Sequence, residues 1–364
     1  MRVLHVYKEF HPDASGVARH IDGFLRSAAR LGVKATILAP SIAPQAADAP
    51  YAVRRGGLRA LAAAVAAADV VHVHGARVPI AAAAAAVARG FGRPVAYTPH
   101  CYYDDRRRAA KWLWDQGPER ALLAGAGAVF LLDTAWRDYL AGRGLPTGRC
   151  RIVPNCILAA AVAMRRPDLA PARLAGCPSL ISIGRLDPVK RLDDAIAALS
   201  LPGLETAVLH LVGRGNDQPR LEQLAIAAGV AGRVVFHGWL DDDEATALLL
   251  GADLALLPSE REGMPTAMLE ALLLGVPILA SDIPGNRAVA DPTGWTALHP
   301  LADVAALAEG IRSHAGRAVP PDVRAAVAGR FSWEARAPDI VGVYAEMIAQ
   351  ARPIAKLVRR NLRP

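Results

Sequence analysis

Residues 254–285 read LALLPSEREGMPTAMLEALLLGVPILASDIPG. This stretch begins with a strand-like apolar run, Leu254–Leu257, and passes through a loop that contains glycine and proline. A helix-length apolar segment, Ala267–Leu274, follows, and a second strand-like run covers Pro277–Ala280. A strand, a helix and a strand in this order are typical of parallel sheets covered by helices, so the stretch predicts an α/β architecture.

The same alternation extends in both directions from this stretch. Strand-like runs separated by helix-length segments occur at 2–7, 34–39, 69–73, 94–98 and 128–132, and again at 180–183, 207–212 and 234–237. Between the two series, Val162–Ser179 contains three prolines and no convincing strand, which predicts a linker. The 364 residues are thus expected to form two doubly wound domains, at 1–165 and 175–342, facing across a cleft.

Composition narrows the class of protein. Apolar residues make up 53% of the chain and charged residues 21%, which excludes a disordered chain. No apolar stretch reaches the roughly 18 residues of a membrane-spanning helix, and Met1–Tyr7 is too short for a signal peptide. The four cysteines include no Cys-x-x-Cys pair, so neither a zinc site nor a disulfide framework is predicted. These features predict a cytoplasmic protein.

Positive charge is concentrated in the first half. Residues 1–166 contain 23 Lys and Arg against 11 Asp and Glu, whereas the remainder contains 19 against 23. A basic surface attracts phosphate groups, which occur on nucleic acids, on nucleotide-linked metabolites and on anionic lipid headgroups. The charge alone does not choose among these three partners.

The loop before the predicted helix at 267–274 has the features of an anion site. Gly263 allows a tight turn, and Pro265 suits a first helical position. The free backbone amides of Thr266, Ala267 and Met268 would then point out of the helix N-terminus, where anions bind.

Two acids and two cations accompany this loop. Glu262 and Glu270 are separated by seven residues, and acids beside an anion site are most simply explained if they bind hydroxyl groups. Arg185 and Lys190 follow the first strand of the second domain and could meet over one anion, an arrangement that fits a diphosphate. The alternative for each cation in isolation is an ordinary surface charge.

Four further features have competing interpretations. His72 and His74 are assigned to alternate faces of a predicted strand, where they would not share a metal, and packed or strand-end histidines are the preferred interpretation. Asp241–Glu244 resembles an Asp-x-Asp metal motif, but its place before a helix favours N-capping. Trp239 either lies near a nucleobase or has a surface-loop or packing role. The basic, aromatic run 104–114 either contacts an anionic lipid or a lipid-linked acceptor, or is a solvated helix face.

Taken in order, these motifs resemble glycosyltransferase family 4, the retaining, nucleotide-sugar-dependent enzymes with the GT-B fold. The likeness covers nearly the whole chain and includes, besides the residues above, SGVARHI at 15–21, DVVHVHG at 69–75, TPH at 98–100, VPN at 153–155, GR at 184–185, VG at 212–213 and FSWE at 331–334. Ser15 replaces the commoner first glycine of the turn, and Cys156–Leu158 departs from the usual Gly-Ile-Asp.

The resemblance implies a role for each matching residue. The predicted catalytic residues are His100, Arg185, Lys190 and Glu262. The predicted donor-binding residues are Gly16, Gly184, Gly213, Gly263, Met264, Pro265, Thr266 and Glu270. Within these sets the cations stabilise the departing diphosphate, Glu262 holds sugar hydroxyls and Glu270 holds the ribose, while His100 approaches the donor sugar. No metal and no prosthetic group are expected.

The resemblance also implies the reaction and the arrangement of the domains. A hexose-type sugar (glucose, mannose or N-acetylglucosamine) would pass from a UDP- or GDP-sugar to a lipid-linked, polysaccharide or other envelope acceptor with its anomeric configuration retained. The first domain would bind the acceptor and the second the donor, and a C-terminal helix at about 345–364 would pack back on the first. The basic first half and the C-terminal helix suggest peripheral attachment to the inner face of the cytoplasmic membrane. The alternative for that helix is a solvated, partly frayed end.

Two other functions remain as alternatives. A sugar-nucleotide epimerase would share the fold, but the set Arg185, Lys190, Glu262 and Glu270 argues against it. A nucleic-acid-binding protein would explain the basic first half, but the charges are scattered and no recognised nucleic-acid motif is present.

Overall fold

The structure, a computed structural model, describes residues 1–10, 16–42, 49–102, 108–165 and 174–361. The side chains of Arg108 and of residues 352–361 are not described. Ser15, the charged residues 104–107, part of the predicted linker and Arg363 therefore lie outside the described residues.

The chain divides into two compact units. One unit contains Met1–Cys156 together with Trp333–Pro364, and the other contains Ile157–Ser332. The chain thus leaves the first unit at residue 156, before the proline-rich segment, and returns to it at residue 333. The binding roles predicted for the two domains stay predictions.

The first unit is built on a seven-stranded parallel sheet in the order β5-β3-β1-β6-β7-β8-β9. Its strands are β1 Arg2–Val6, β3 Lys34–Ala39, β5 Ala52–Arg55, β6 Val70–His74, β7 Val95–Thr98, β8 Ala128–Leu131 and β9 Cys150–Ile152, and a separate pair is formed by β2 Glu9–Phe10 and β4 Ser41–Ile42. The helices are α1 Gly16–Arg30, α2 Leu58–Ala67, α3 Pro79–Gly90, α4 Arg108–Trp114, α5 Arg120–Gly125 and α6 Thr134–Gly142. A π-helical turn, Asp115–Glu119, joins α4 to α5.

The core of the first unit consists mainly of alanine, leucine and valine. Every residue of β6 is buried, as expected for a central strand of a parallel sheet covered on both faces. The C-terminal helix α15, Trp333–Asn361, belongs to this unit and packs on α1. Gly23 of α1 permits this contact, because a Cβ there would lie 2.6 Å from Cδ1 of Trp333.

The second unit contains a six-stranded parallel sheet in the order β12-β11-β10-β13-β14-β15. Its strands are β10 Ser179–Ile183, β11 Val208–Val212, β12 Val234–Gly238, β13 Leu254–Leu257, β14 Ile278–Ser281 and β15 Ala297–His299. Its helices are α7 Ala159–Ala163, α8 Leu192–Ala198, α9 Gln218–Ala227, α10 Asp242–Leu250, α11 Thr266–Leu274, α12 Pro284–Thr293, α13 Val304–His314 and α14 Pro321–Arg330. The βαβ unit predicted from residues 254–285 is present as β13, α11 and β14.

Besides the two-residue strands β2 and β4, three strands were not predicted from the sequence, and all three lie at the edge of a sheet. They are β5, β9 and β15. The backbone of an edge strand forms hydrogen bonds with a neighbouring strand on one side only, and in β5 and β9 no side chain is buried. A strand of three or four residues without a buried apolar run carries little periodic signal, which explains why the sequence did not reveal them.

Candidate active site

The predicted cations and the first predicted acid lie at the point where the strand order of the second sheet reverses. β10 is flanked by β11 on one side and by β13 on the other, so the chain connections leave β10 and β13 in opposite directions. Lys190 follows the carboxyl end of β10, and Glu262 follows that of β13. In open α/β sheets this switch point is where ligands bind.

A backbone hydrogen bond joins the two loops that carry these residues. The amide of Glu260 donates to the carbonyl oxygen of Val189 at 2.8 Å. Asp187 caps the short 3₁₀ turn Pro188–Lys190 by accepting a hydrogen bond from the amide of Val189 at 3.1 Å. These local contacts fix the backbone of Lys190 relative to the loop that precedes α11.

Lys190 and Glu262 form an ion pair. The distance from Lys190 Nζ to Glu262 Oε1 is 2.6 Å, and the two side chains are 21% and 13% exposed. The structure thus brings together one predicted cation and one predicted acid from segments 72 residues apart in the sequence. Each charge partly neutralises the other in a site that still reaches solvent.

Arg185 has a different partner. Its Nη1 lies 3.7 Å from Asp187 Oδ2, and its side chain is 68% exposed. Arg185 nevertheless lines a small crevice together with Gly184, Lys190 and Leu257. An exposed guanidinium at the rim of this crevice retains the conformational freedom to turn towards an anion.

Two glycines allow the backbones around this crevice to approach closely. Gly213 has a φ of +133°, and a Cβ there would lie 1.9 Å from the carbonyl oxygen of Gly184. Gly285, at the start of α12, would place a Cβ 2.3 Å from the carbonyl oxygen of Glu262. A side chain at either position would displace a loop that carries predicted site residues.

Helix α11 begins directly after the loop that contains Glu262. It begins at Thr266, and Pro265, with φ −77° and ψ 119°, is the N-cap. The prediction that Pro265 is the first helical residue is therefore wrong by one position, because its extended ψ places it outside the helix. Met264 is buried and anchors the loop, while the first amides of α11 have no partner within the helix.

Glu270 also has a basic partner, which the sequence did not predict. Arg165 Nη1 lies 3.5 Å from Glu270 Oε2. The same guanidinium bonds to Asp242 Oδ2 at 2.9 Å and to Thr246 Oγ1 at 3.3 Å. Arg165 lies in the segment interpreted as a linker, where nothing in the pattern distinguished it from other surface arginines.

An open depression of about 740 Å³ lies at the carboxyl ends of β11 and β12. Its lining residues are Arg214, Gly215, Asn216, Gln218, Phe236, His237 and Gly238. A hydrogen bond joins the loop after β11, which carries Arg214, to the loop after β10, which carries Arg185. The amide of Leu186 donates to the carbonyl oxygen of Arg214 at 3.0 Å. The volume of the depression is in the range of small-molecule sites. This depression was not predicted, and the sequence signal that could have indicated it is Gly213 followed by Gly215 directly after a strand.

The acidic run after β12 is confirmed as a helix cap. Asp241 accepts a hydrogen bond from the amide of Glu244 at 2.8 Å, and Glu244 accepts one from the amide of Asp241 at 3.1 Å. This reciprocal pair is a capping box at the start of α10. Trp239, beside it, is 52% exposed.

In the first unit, His100 follows β7 in a strained backbone conformation. Its φ is +65°, which is uncommon for a residue with a side chain, and the residue is 7% exposed. Such strain is concentrated at functional sites. Gly16, the other predicted residue of this unit, is the first residue of α1, and a Cβ there would meet nothing within 4 Å.

The prediction that His72 and His74 lie on alternate faces of their strand is wrong. Residues two positions apart in a strand point to the same side, and these two rings lie 4.1 Å apart between centroids. Nitrogen atoms of His5, His72 and His74 all lie within 4.8 Å of one another. His72 is hydrogen-bonded to Tyr344 at 2.5 Å and to Thr98 at 2.8 Å, which agrees with the interpretation of packed histidines. The absence of a metal requirement stays a prediction.

A buried acidic pair beneath the His100 loop was also not predicted. Asp115 and Glu119 lie on the π-helical turn and are 0% and 1% exposed. Arg77 forms two hydrogen bonds of 2.8 Å with Asp115, and Tyr102 donates to Glu119 at 2.7 Å. The acids thus anchor the loops that follow β6 and β7.

Comparison with known proteins places the chain in a family. The model of the glycosyl transferases group 1 matches residues 174–314, and that of the glycosyl transferase 4-like domain matches residues 15–156. The glycogen synthase of Mycobacterium tuberculosis H37Rv is 31% identical over 300 residues, which are 76% of this chain and 68% of that protein. The 2-deoxystreptamine N-acetyl-D-glucosaminyltransferase of Streptomyces fradiae is 29% identical over 296 residues, with the same coverage of 76% and 68%.

A solved structure shows the same fold. Anabaena HepE, whose structure is in complex with UDP, superimposes with a TM-score of 0.75 at 16% identity, covering 95% of this chain and 100% of that one. The fold is therefore GT-B, as predicted. With both family models and these relatives in agreement, the chain is an enzyme that belongs to the family 4 glycosyltransferases.

Proposed function

We propose that the chain is a retaining enzyme that transfers a hexose-type sugar from a nucleoside diphosphate sugar to an envelope acceptor, either lipid-linked or polysaccharide. The observation that carries this proposal is the contact between Lys190 and Glu262 at the switch point of the second sheet. The contact supports the proposal because a cation suited to a diphosphate lies next to an acid suited to sugar hydroxyls. The donors that fit are glucose, mannose or N-acetylglucosamine linked to UDP or GDP.

The barrier to this transfer is mainly a separation of charge. The sugar becomes oxocarbenium-like while negative charge develops on the departing diphosphate. Lys190 and Arg185, with the N-terminus of α11, stabilise that charge electrostatically. The bond between the anomeric carbon and the diphosphate breaks, the acceptor oxygen bonds to the same face, and a leaving phosphate oxygen accepts the acceptor's proton.

The remaining site residues bind and orient the donor. Glu262 accepts hydrogen bonds from hydroxyls of the transferred sugar, and Glu270 accepts them from the ribose. The depression bordered by Arg214 and Gly238 receives the nucleoside, a role supported by its volume and by the complex of the structurally similar HepE with UDP. His100 contacts the transferred sugar, and Gly16 allows phosphate oxygens to approach the start of α1.

Nucleotide sugars are expected to stabilise the protein against heat. A ligand that binds only the folded state at about 100 times its Kd adds about 2.7 kcal/mol to the free energy of unfolding. Thermal unfolding would be followed with UDP-glucose, UDP-N-acetylglucosamine and GDP-mannose, with uridine and guanosine as controls that lack the diphosphate. The proposal fails if no nucleotide sugar raises the unfolding temperature above the nucleoside controls.

The proposal includes peripheral attachment to an anionic membrane surface through α4. Trp112 and Leu113 on this helix are 55% and 64% exposed, and Lys111 precedes them. Adjacent exposed apolar side chains beside a cation fit the boundary between lipid headgroups and acyl chains. Among the described helices, none is long and apolar enough to span a membrane.

Vesicle flotation tests this attachment. The protein is expected to float with vesicles that contain phosphatidylglycerol and to float less with phosphatidylcholine alone, because the helix lies in a basic half of the chain. Serine at both Trp112 and Leu113 should reduce flotation, whereas serine at the exposed Phe91 of the same unit should not. Flotation with neither lipid would remove the membrane from the proposal, and equal flotation with both would remove the preference for an anionic surface.

A further inference from the structure

Three buried histidines of the first unit form a line of hydrogen bonds that ends at His100. His5 Nδ1 lies 2.9 Å from His74 Nε2, and His74 Nδ1 lies 3.2 Å from His100 Nε2. His5 is 0% exposed and His74 is 1% exposed. The line therefore runs from the interior of the sheet at β1, through β6, to the loop after β7.

The three rings are neutral, so each carries one proton. Burial lowers the pKa of His5 to about 3, with a smaller contribution from His20. Burial likewise lowers the pKa of His74 and of His100 well below the usual value. A neutral imidazole donates from one nitrogen and accepts at the other, so the two hydrogen bonds must point in the same direction along the line.

The unpaired nitrogen at the inner end decides that direction. His5 Nε2 is buried and has no hydrogen-bond partner among the described residues. If the line ran from His100 to His5, Nδ1 of His5 would accept, and its single proton would sit on Nε2 without an acceptor. If the line instead runs from His5 to His100, His5 donates from Nδ1. Its Nε2 then carries a lone pair, and only that lone pair has no hydrogen-bond partner. Orphaned buried N–H groups are the rarer and costlier of the two cases.

The ring of His100 is held on other sides as well. The ring of His20 packs edge-on against it, with centroids 4.8 Å apart. Two residues later, the hydroxyl of Tyr102 is bound to the buried Glu119. These contacts keep His100 in its left-handed backbone conformation and leave its ring little freedom to turn.

We propose that His5 and His74 are positioning residues that fix His100 as the tautomer with its proton on Nδ1. His100 then accepts at Nε2 from His74 and offers Nδ1–H as a hydrogen-bond donor to a substrate oxygen. The tautomer follows from this unit's own contacts, whereas the contact with substrate rests on the proposed function.

Nitrogen NMR of protein labelled with ¹⁵N-histidine tests the assignment directly. The two-bond couplings between hydrogen and nitrogen and the nitrogen chemical shifts distinguish a protonated ring nitrogen from an unprotonated one. The signals of residue 100 are those that are missing in His100→Gln. In the unliganded wild-type protein, His100 is expected to show a protonated Nδ1 and an unprotonated Nε2, and His5 the same pattern. A protonated Nε2 on His100 overturns the proposal, and this result needs no ligand.

Two substitutions of His74 then separate positioning from packing. In His74→Gln the side-chain amide can still donate to His100, so the Nδ1–H tautomer should persist. In His74→Leu the donor is lost, and signals of both tautomers, or of Nε2–H alone, are expected. A tautomer unchanged in His74→Leu contradicts the proposal.

Kinetics of the same variants connect the tautomer to catalysis. Once a donor is identified, His74→Leu should lower kcat more than it raises KM, and His74→Gln should recover most of the loss. If the spectra agree but no nucleotide sugar binds, the proposed function has failed while the tautomer assignment stands. If a donor binds and is turned over equally by wild type and His74→Leu, the positioning role has failed instead.

Discussion

Replacing Lys190 by Ala is expected to lower kcat for sugar transfer by about 100- to 1,000-fold, the effect typical of removing one group that stabilises developing negative charge. A second effect adds to the loss. Without Lys190, the carboxylate of Glu262, which is only 13% exposed, loses its partner at 2.6 Å. It would then repel the diphosphate that the lysine attracts. Steady-state kinetics with the donor identified by thermal shift would measure the change.

Matched variants separate these two effects. Lys190→Arg retains the charge and should be less impaired than Lys190→Ala. Adding Glu262→Gln to Lys190→Ala should restore part of the binding of the nucleoside diphosphate, because residues in direct contact do not contribute additively. Lys34, an exposed lysine at the start of β3 in the other unit, serves as the control for loss of one positive charge. Lys190→Ala with turnover near that of Lys34→Ala would show that the cation is misassigned.

Replacing Glu270 by Ala is expected to lower kcat/KM for the donor by about 10- to 100-fold, mostly through KM. A hydrogen bond to a charged group contributes about 1.5–3 kcal/mol, and about 1.4 kcal/mol corresponds to a factor of ten. The fold should persist, since Arg165 retains its hydrogen bonds to Asp242 and Thr246 when Glu270 is removed. Circular dichroism and the unfolding temperature would verify this.

The ribose itself provides the sharper test of Glu270. The wild-type enzyme should bind a nucleoside diphosphate more tightly than its 2′,3′-dideoxy analogue, and Glu270→Ala should bind the two with similar affinity. Glu309, whose side chain is 69% exposed and paired with Arg312 on α13, is the control for loss of a glutamate from the same unit. If Glu270→Ala still prefers the intact ribose as strongly as wild type does, the carboxylate has another role.

Much of the fold could be predicted because buried parallel strands are apolar throughout. β13 is buried at all four positions, and its leucines and alanine were recognisable as a strand without knowledge of any partner. Edge strands such as β5 lack that burial and were missed. The capping box at Asp241 was predictable for a related reason, since both of its hydrogen bonds join residues three positions apart.

The site could be predicted only where its residues follow a local rule. The helix start near Thr266 was indicated by loop chemistry after a strand. Gly213 was implied only by the resemblance, and Lys190 and Glu262 were singled out by their residue types and by the resemblance. Nothing local indicated Arg165, because its partners Glu270 and Asp242 come more than 70 residues later in the chain. The acids Asp115 and Glu119 were likewise indistinguishable from solvent-exposed charges.

By itself, the sequence determined the α/β class, the parallel strands and the chemical types available at the strand ends, since these depend on short-range periodicity and on residue chemistry. Only the tertiary structure decided which charges are paired and which rings touch. The ion pair of Lys190 with Glu262 and the line from His5 to His100 join strands that are distant in sequence. Their distances depend on strand order and on loop geometry, which no local pattern specifies.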